Sequence, residues 1–77
     1  MRIKLKQKRV ATKMNKREFA DYIGVGRDTY SGIEEGRLLG TLSTWLLIQK
    51  GLHIPNVEMF SIMKEGLEEK FTDATDE

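Results

Sequence analysis

Residues 15–36 read NKREFADYIGVGRDTYSGIEEG, and the punctuation of this stretch decides the fold. Asn15 is a strong N-cap, because its side-chain oxygen accepts from a backbone N–H that the first helical turn leaves unpaired. Glu18 stands three residues on and can reach back to the Asn15 N–H, completing a capping-box pattern. A helix therefore starts at Lys16, with Phe19, Ala20 and Ile23 inward. Gly24 ends it, since glycine takes the left-handed C-cap conformation without a Cβ clash. Val25 plugs the turn, and Gly26 is an acceptable N-cap for a second helix from Arg27 to about Glu35, closed by Gly36. Tyr30 and Ile33 face inward on that helix. Arg27, Asp28, Ser31 and Gly32 fall on its outer side, where Gly32 reads as a missing side chain. A glycine turn lets the two helices cross steeply, and Ala20 permits their close approach. The second helix is then held out as a major groove about 12 Å wide requires.

Three more helices flank this unit. A first helix covers roughly residues 2–12, with Leu5, Val10 and Ile3 on its apolar side and lysines and Arg9 on its wet side. Thr41 is the N-cap candidate for a fourth helix, LSTWLLIQKG, whose core residues are expected to be Leu42, Trp45, Leu46 and Ile48. Pro55 suits the first turn of a fifth, where no backbone donor is needed. That helix is expected over about 56–70, with Val57, Phe60, Ile62 or Met63, and Leu67 inward, and with Met14, Met59 and Met63 filling gaps. Gly66 weakens it by up to about 1 kcal/mol relative to alanine. Residues 1–70 are thus expected to form one all-α domain, and 71–77 an acidic flexible tail.

Composition removes several function classes. The chain has 77 residues, and a domain near that size buries only about 60% of the surface its unfolded form exposes, so one small core is all it can build. It has no cysteine, so neither disulfides nor thiolate metal sites are expected. The start MRIKLKQKRV lacks the apolar stretch of a secretory signal. No apolar run approaches the roughly 20 residues of a membrane span, and a soluble cytoplasmic protein is expected. His53 is the single histidine and follows a helix end, which suits exposure or the helix dipole better than metal binding. Glu34 and Glu35 are adjacent, so they point to different sides of a helix and make no acid–base pair. GVG followed by Arg27 is too little for a phosphate loop. Tyr22 and Tyr30 fit core or edge packing better than base stacking, because a duplex hides its base faces, and Trp45 fits the core. No enzyme, cofactor or metal is indicated.

The net charge of +1 conceals a polarity. Residues 1–17 carry Arg2, Lys4, Lys6, Lys8, Arg9, Lys13, Lys16 and Arg17 and no acid, whereas residues 58–77 carry Glu58, Glu65, Glu68, Glu69, Asp73, Asp76 and Glu77 against Lys64 and Lys70. A basic head can track phosphates by releasing counterions, or it can be a solvated helix face.

The run KLKQKRVATKMNKREFADYIGVGRDTYSGIEEG, residues 4–36, resembles the helix-turn-helix of the Cro/repressor-type family, which includes lambdoid phage repressors and many bacterial regulators. The likeness continues through TLSTWLLIQKGLHI and covers roughly residues 4–60. It implies a compact five-helix, lambda-repressor-like DNA-binding domain with its helix-turn-helix at the second and third helices. Arg9 and Glu34 match a pair that in several members ties the first helix to the third, a structural salt bridge. Lys16 matches a polar residue that touches phosphate, with Asn15, Arg17 and Arg37 as further phosphate contacts. Arg27, Asp28, Thr29 and Ser31 match outward positions that read bases. Arg27 suits guanine O6 and N7, and Asp28 suits a cytosine amino group or repels phosphate in wrong registers. Thr29 suits a phosphate or a thymine methyl. Gly26 stands where serine or threonine is usual, Gly32 where a longer side chain often reaches bases, and Glu35 where some members contact phosphate.

Two functions follow as expectations. The first is a sequence-specific transcriptional regulator of double-stranded DNA, repressor or Cro-like, of phage or mobile-element type, without an attached sensing domain. Many relatives dimerise through the fifth helix, and Leu38-Leu39 either joins such a homodimer contact or folds back on the core. The second is a protein-interaction module on the same fold, an antirepressor, antitoxin or host-enzyme inhibitor with a protein partner.

Overall fold

Side-chain caps fix where two helices begin. Asn15 Oδ1 accepts from the Glu18 N–H at 2.8 Å, and Glu18 Oε1 accepts from the Asn15 N–H at 2.9 Å, so α2 runs Lys16–Ile23. Thr41 Oγ1 accepts from the Thr44 N–H at 3.2 Å and starts α4, Leu42–Leu52. The other helices are α1, Ile3–Ala11, α3, Arg27–Glu35, and α5, Asn56–Thr75. This computed structural model describes the backbone of residues 1–75 and the side chains of residues 1–66, and it contains no strand among them. The fifth helix is longer than the span expected from sequence. Leu67 and the later side chains, and all of Asp76 and Glu77, lie outside the described residues, while the backbone of 71–75, expected as part of the tail, belongs to α5.

The α2–α3 unit sits on α4, while α1 bridges α3 and α5. Phe19, Ala20, Tyr30, Ile33, Trp45 and Ile48 form the centre of the core, extended by Leu5, Met59 and Ile62. Phe19 and Tyr30 pack as tilted rings 5.3 Å apart, an arrangement that their quadrupoles favour. Trp45 Nε1 donates to the Leu39 carbonyl at 2.7 Å, so the indole anchors the α3–α4 loop as well as filling the core.

Three helices turn a different face inward from the one expected. On α1 the inward residues are Leu5 and Arg9, with Arg2 just before the helix, while Ile3 and Val10 are exposed. The spacing 2, 5, 9 is one helical stripe, and it is fixed by Arg9, whose charge must reach a buried carboxylate on α3. On α4, Trp45 and Ile48 are buried, whereas Leu42 and Leu46 are exposed. That helix is apolar almost all round, so its periodicity does not name one face. On α5 the buried stripe is Met59, Ile62 and Gly66, with Met63 half-buried, while Val57 and Phe60 face outward. The stripe closes at Gly66 because Arg2 packs there: a Cβ would lie 2.6 Å from the Arg2 Nη2.

Candidate nucleic-acid interface

The turn between α2 and α3 fixes how α3 is presented. Gly24 adopts φ +80° and donates its N–H to the Ala20 carbonyl at 3.0 Å. Val25 donates to the same carbonyl at 2.9 Å, which closes α2 and reverses the chain within two residues. Gly26 then caps α3, which carries different chemistry on its two sides.

The inward side is locked to the body. Arg9 donates from Nε to Glu34 Oε2 at 2.9 Å and from Nη2 to Glu34 Oε1 at 3.0 Å, a two-pronged pair whose side chains are almost fully buried. Its Nη1 donates to the Met14 carbonyl at 2.8 Å. The hydrogen bonds to Glu34 raise the Arg9 pKa further, against the opposing effect of burial. Burial, and then the nearby Glu34 charge, push the Tyr30 hydroxyl upward, so it stays neutral. At the C-terminal end of α3 the Arg2 N–H donates to the Glu34 carbonyl at 2.8 Å, and its Nη1 donates to the Ile33 and Leu38 carbonyls at 2.5 and 2.9 Å. The same guanidinium lies 5.3 Å from the centre of the Trp45 ring. A cation among the last carbonyls of a helix meets both their lone pairs and the helix dipole.

Four positions of the basic head have partners within the fold, and two of them are buried. Arg2 and Arg9 are buried and structural. Lys8 pairs with Glu58 on α5. Lys4 donates its Nζ to Ser61 Oγ at 3.1 Å and its backbone N–H to Glu65 Oε1 at 3.1 Å. Packing α1 against α5 thus brings part of the basic head beside acids of the C-terminal third.

The outward side of α3 and its surroundings hold the residues expected to touch DNA. Asp28 and Thr29 are exposed. Arg27 is exposed too, and it donates from Nε and Nη2 to the two oxygens of Asp21, on α2, at 3.2 and 3.0 Å. Lys16, at the start of α2, donates to Ser31 Oγ at 3.3 Å and to Glu35 Oε2 at 3.2 Å. Ser31 donates to Glu35 Oε2 at 2.8 Å, and Arg37, in the loop after α3, donates to Glu35 Oε1 at 2.9 Å. Arg17 is exposed and has no ion pair among the described residues. Asn15 uses its side-chain oxygen as a helix cap. The carboxylates respond to this company. The hydrogen bond from Arg27 lowers the Asp21 pKa, with the Arg17 charge adding to it. The hydrogen bonds from Arg37, then Ser31, then Lys16 lower that of Glu35 to about 2.

Gly32 does not leave a gap in this face. A Cβ there would lie 2.6 Å from Leu38 Cδ1, because the Arg37 and Leu38 N–H groups both donate to the Gly32 carbonyl and fold the loop back over it. The glycine makes room for Leu38, which stays partly exposed on top of it. Sequence reading missed the roles of Asp21, Glu35 and Arg2. For Asp21 a signal was present: it stands three residues before Gly24 and Arg27 three after, and a reversing turn brings such positions together.

Five helices with this turn and this outward helix define a helix-turn-helix protein. A family model described as helix-turn-helix matches residues 5–55, and the chain belongs to that family, the Cro/repressor-type group of DNA-binding regulators. No curated protein and no solved structure gives a significant match. Among the described residues no helix is long and apolar enough to cross a membrane, and no cluster of three or more His, Cys, Asp or Glu could hold a metal ion.

Proposed function

We propose that the chain is a sequence-specific transcriptional regulator, a repressor or Cro-like switch protein of phage or mobile-element type, that sets α3 in the major groove of double-stranded DNA. One observation carries this reading. Lys16 from α2, Ser31 from α3 and Arg37 from the following loop converge beside a helix whose Arg27, Asp28 and Thr29 are exposed. Cations then flank a reading face, as phosphate contacts flank base contacts in such complexes. Arg27 forks to guanine, Asp28 accepts from a cytosine amino group, and Thr29 and Ser31 complete the base contacts. Lys16, Arg17, Arg37 and the Asn15 end of α2 hold phosphates.

A homodimer would place two such helices one duplex turn, about 34 Å, apart. The exposed Leu38, Leu39, Leu42, Leu46 and Phe60 support a second copy docking along the loop, α4 and α5. Selection of bound sequences from a random duplex pool, followed by titration across salt, tests the reading. A recovered consensus is expected, and Lys16→Ala reduces the salt slope by about 0.9, the value of one phosphate contact. The same exposed leucines favour, as a second reading, a protein-interaction module. A stable protein partner in a pull-down, with no duplex binding at low salt, decides for it.

A further inference from the structure

Three of the four cations offered around α3 are already satisfied by carboxylates of the same unit. Asp21 takes the forked edge of Arg27, and Glu35 takes Lys16 and Arg37 together with the Ser31 hydroxyl. These are the donors a nucleic acid would use. A guanine presents two acceptors side by side, as the Asp21 carboxylate does, and a phosphate presents anionic oxygens, as Glu35 does.

We propose that Asp21 and Glu35 compete with DNA, each holding in the unbound protein the donor set that a duplex takes over. The inference rests on the DNA-binding reading above. Random duplex offers α3 little besides phosphates. Binding it exchanges one charge-assisted pair for another and leaves the Glu35 carboxylate beside like charge, so the exchange gains little. A matched site adds base-edge contacts from Asp28 and Thr29, and it gives Arg27 a guanine edge in exchange for Asp21. The two acids therefore weaken duplex binding, and a site that adds base contacts is what overcomes the exchange. Their exposure makes the exchange possible: side-chain exposures run from 36% at Glu35 to 61% at Arg37, and exposed ion pairs hold their partners weakly.

Fluorescence anisotropy with wild type, Glu35→Gln and Asp21→Asn tests this. One random duplex and one duplex recovered by selection are titrated across salt. Glu35→Gln is expected to tighten random-duplex binding about tenfold at low salt, the Coulomb scale of removing one charge near two phosphates in water. The gain should shrink as salt is raised, because its source is electrostatic. Asp21→Asn should tighten random-duplex binding less, having one cation to release, and the selected duplex should gain with either variant too. Glu35→Ala, which brings no new amide donor, must show the same gain. Binding of random duplex by Glu35→Gln but not by wild type also upholds the proposal. If wild type binds duplex and the variants match it, or bind more weakly, the proposal is overturned and the DNA-binding reading stands. If none of the proteins binds duplex at low salt, both fall.

Discussion

Glu34 and Glu35 are neighbours in the chain, on one helix, and each holds arginine, yet they belong to different regimes. Glu34 is 2% exposed and meets Arg9 through two hydrogen bonds inside the body. Glu35 sits at the surface and shares Lys16, Ser31 and Arg37 among its two oxygens. A helix advances 100° per residue, so one step carries a carboxylate from core to surface. Burial then decides what the pair does. A buried pair cannot lose one member without stranding a charge, which makes it a fixed tie between α1 and α3. An exposed pair can trade partners with water, salt or a polyanion.

The sharpest way to break this contrast is Arg9→Ala. It strands the Glu34 carboxylate, and the expected loss is about 3–5 kcal/mol of unfolding free energy. Chemical denaturation measures it, and an unchanged midpoint would sink the structural role. Gly66→Ala comes next. The new methyl meets the guanidinium of Arg2, itself held by two carbonyls and by Trp45, so overpacking of about 1–3 kcal/mol should outweigh the better helix propensity. Gly32→Ala is the matching probe on the outward side. There the obstacle is the partly exposed Leu38 side chain, which can swing away, so its melting midpoint should move less than that of Gly66→Ala.

The smallest effect belongs to Glu35 itself. Its pKa falls from the ordinary 4.5 to about 2 in the folded protein, so between those values the unfolded chain binds the extra proton. The stabilisation is complete above pH 4.5 and is lost as pH falls through about 2. Thermal melts of wild type and Glu35→Gln should differ most near neutrality and converge over that acid window. A difference that persists at the acid end would mean that the carboxylate charge is not its source.

Much of the candidate site was legible along the chain, because the residues of α2 and α3 that matter are fixed locally. The Asn15–Glu18 capping box, the Gly24 turn and the phase that turns Tyr30 and Ile33 inward all act within a few residues. Gly32 was not legible. Its outward phase was, but the loop that covers it folds back through hydrogen bonds made after the helix ends. Nor could the basic head be assigned. Whether Lys8 meets phosphate, water or Glu58 depends on a partner fifty residues away.

The sequence by itself determined an all-α chain with helix starts at Asn15 and Thr41 and a tight turn at Gly24. Capping and turn chemistry is short-range and is written in adjacent residues. Only the tertiary structure decided which face α1, α4 and α5 bury, that Arg2 reaches across to cap α3, and that the carboxylates beside α3 hold its cations. Those outcomes depend on contacts between segments remote in sequence. There, a buried charge must find its counter-charge, and a glycine matters for what approaches it.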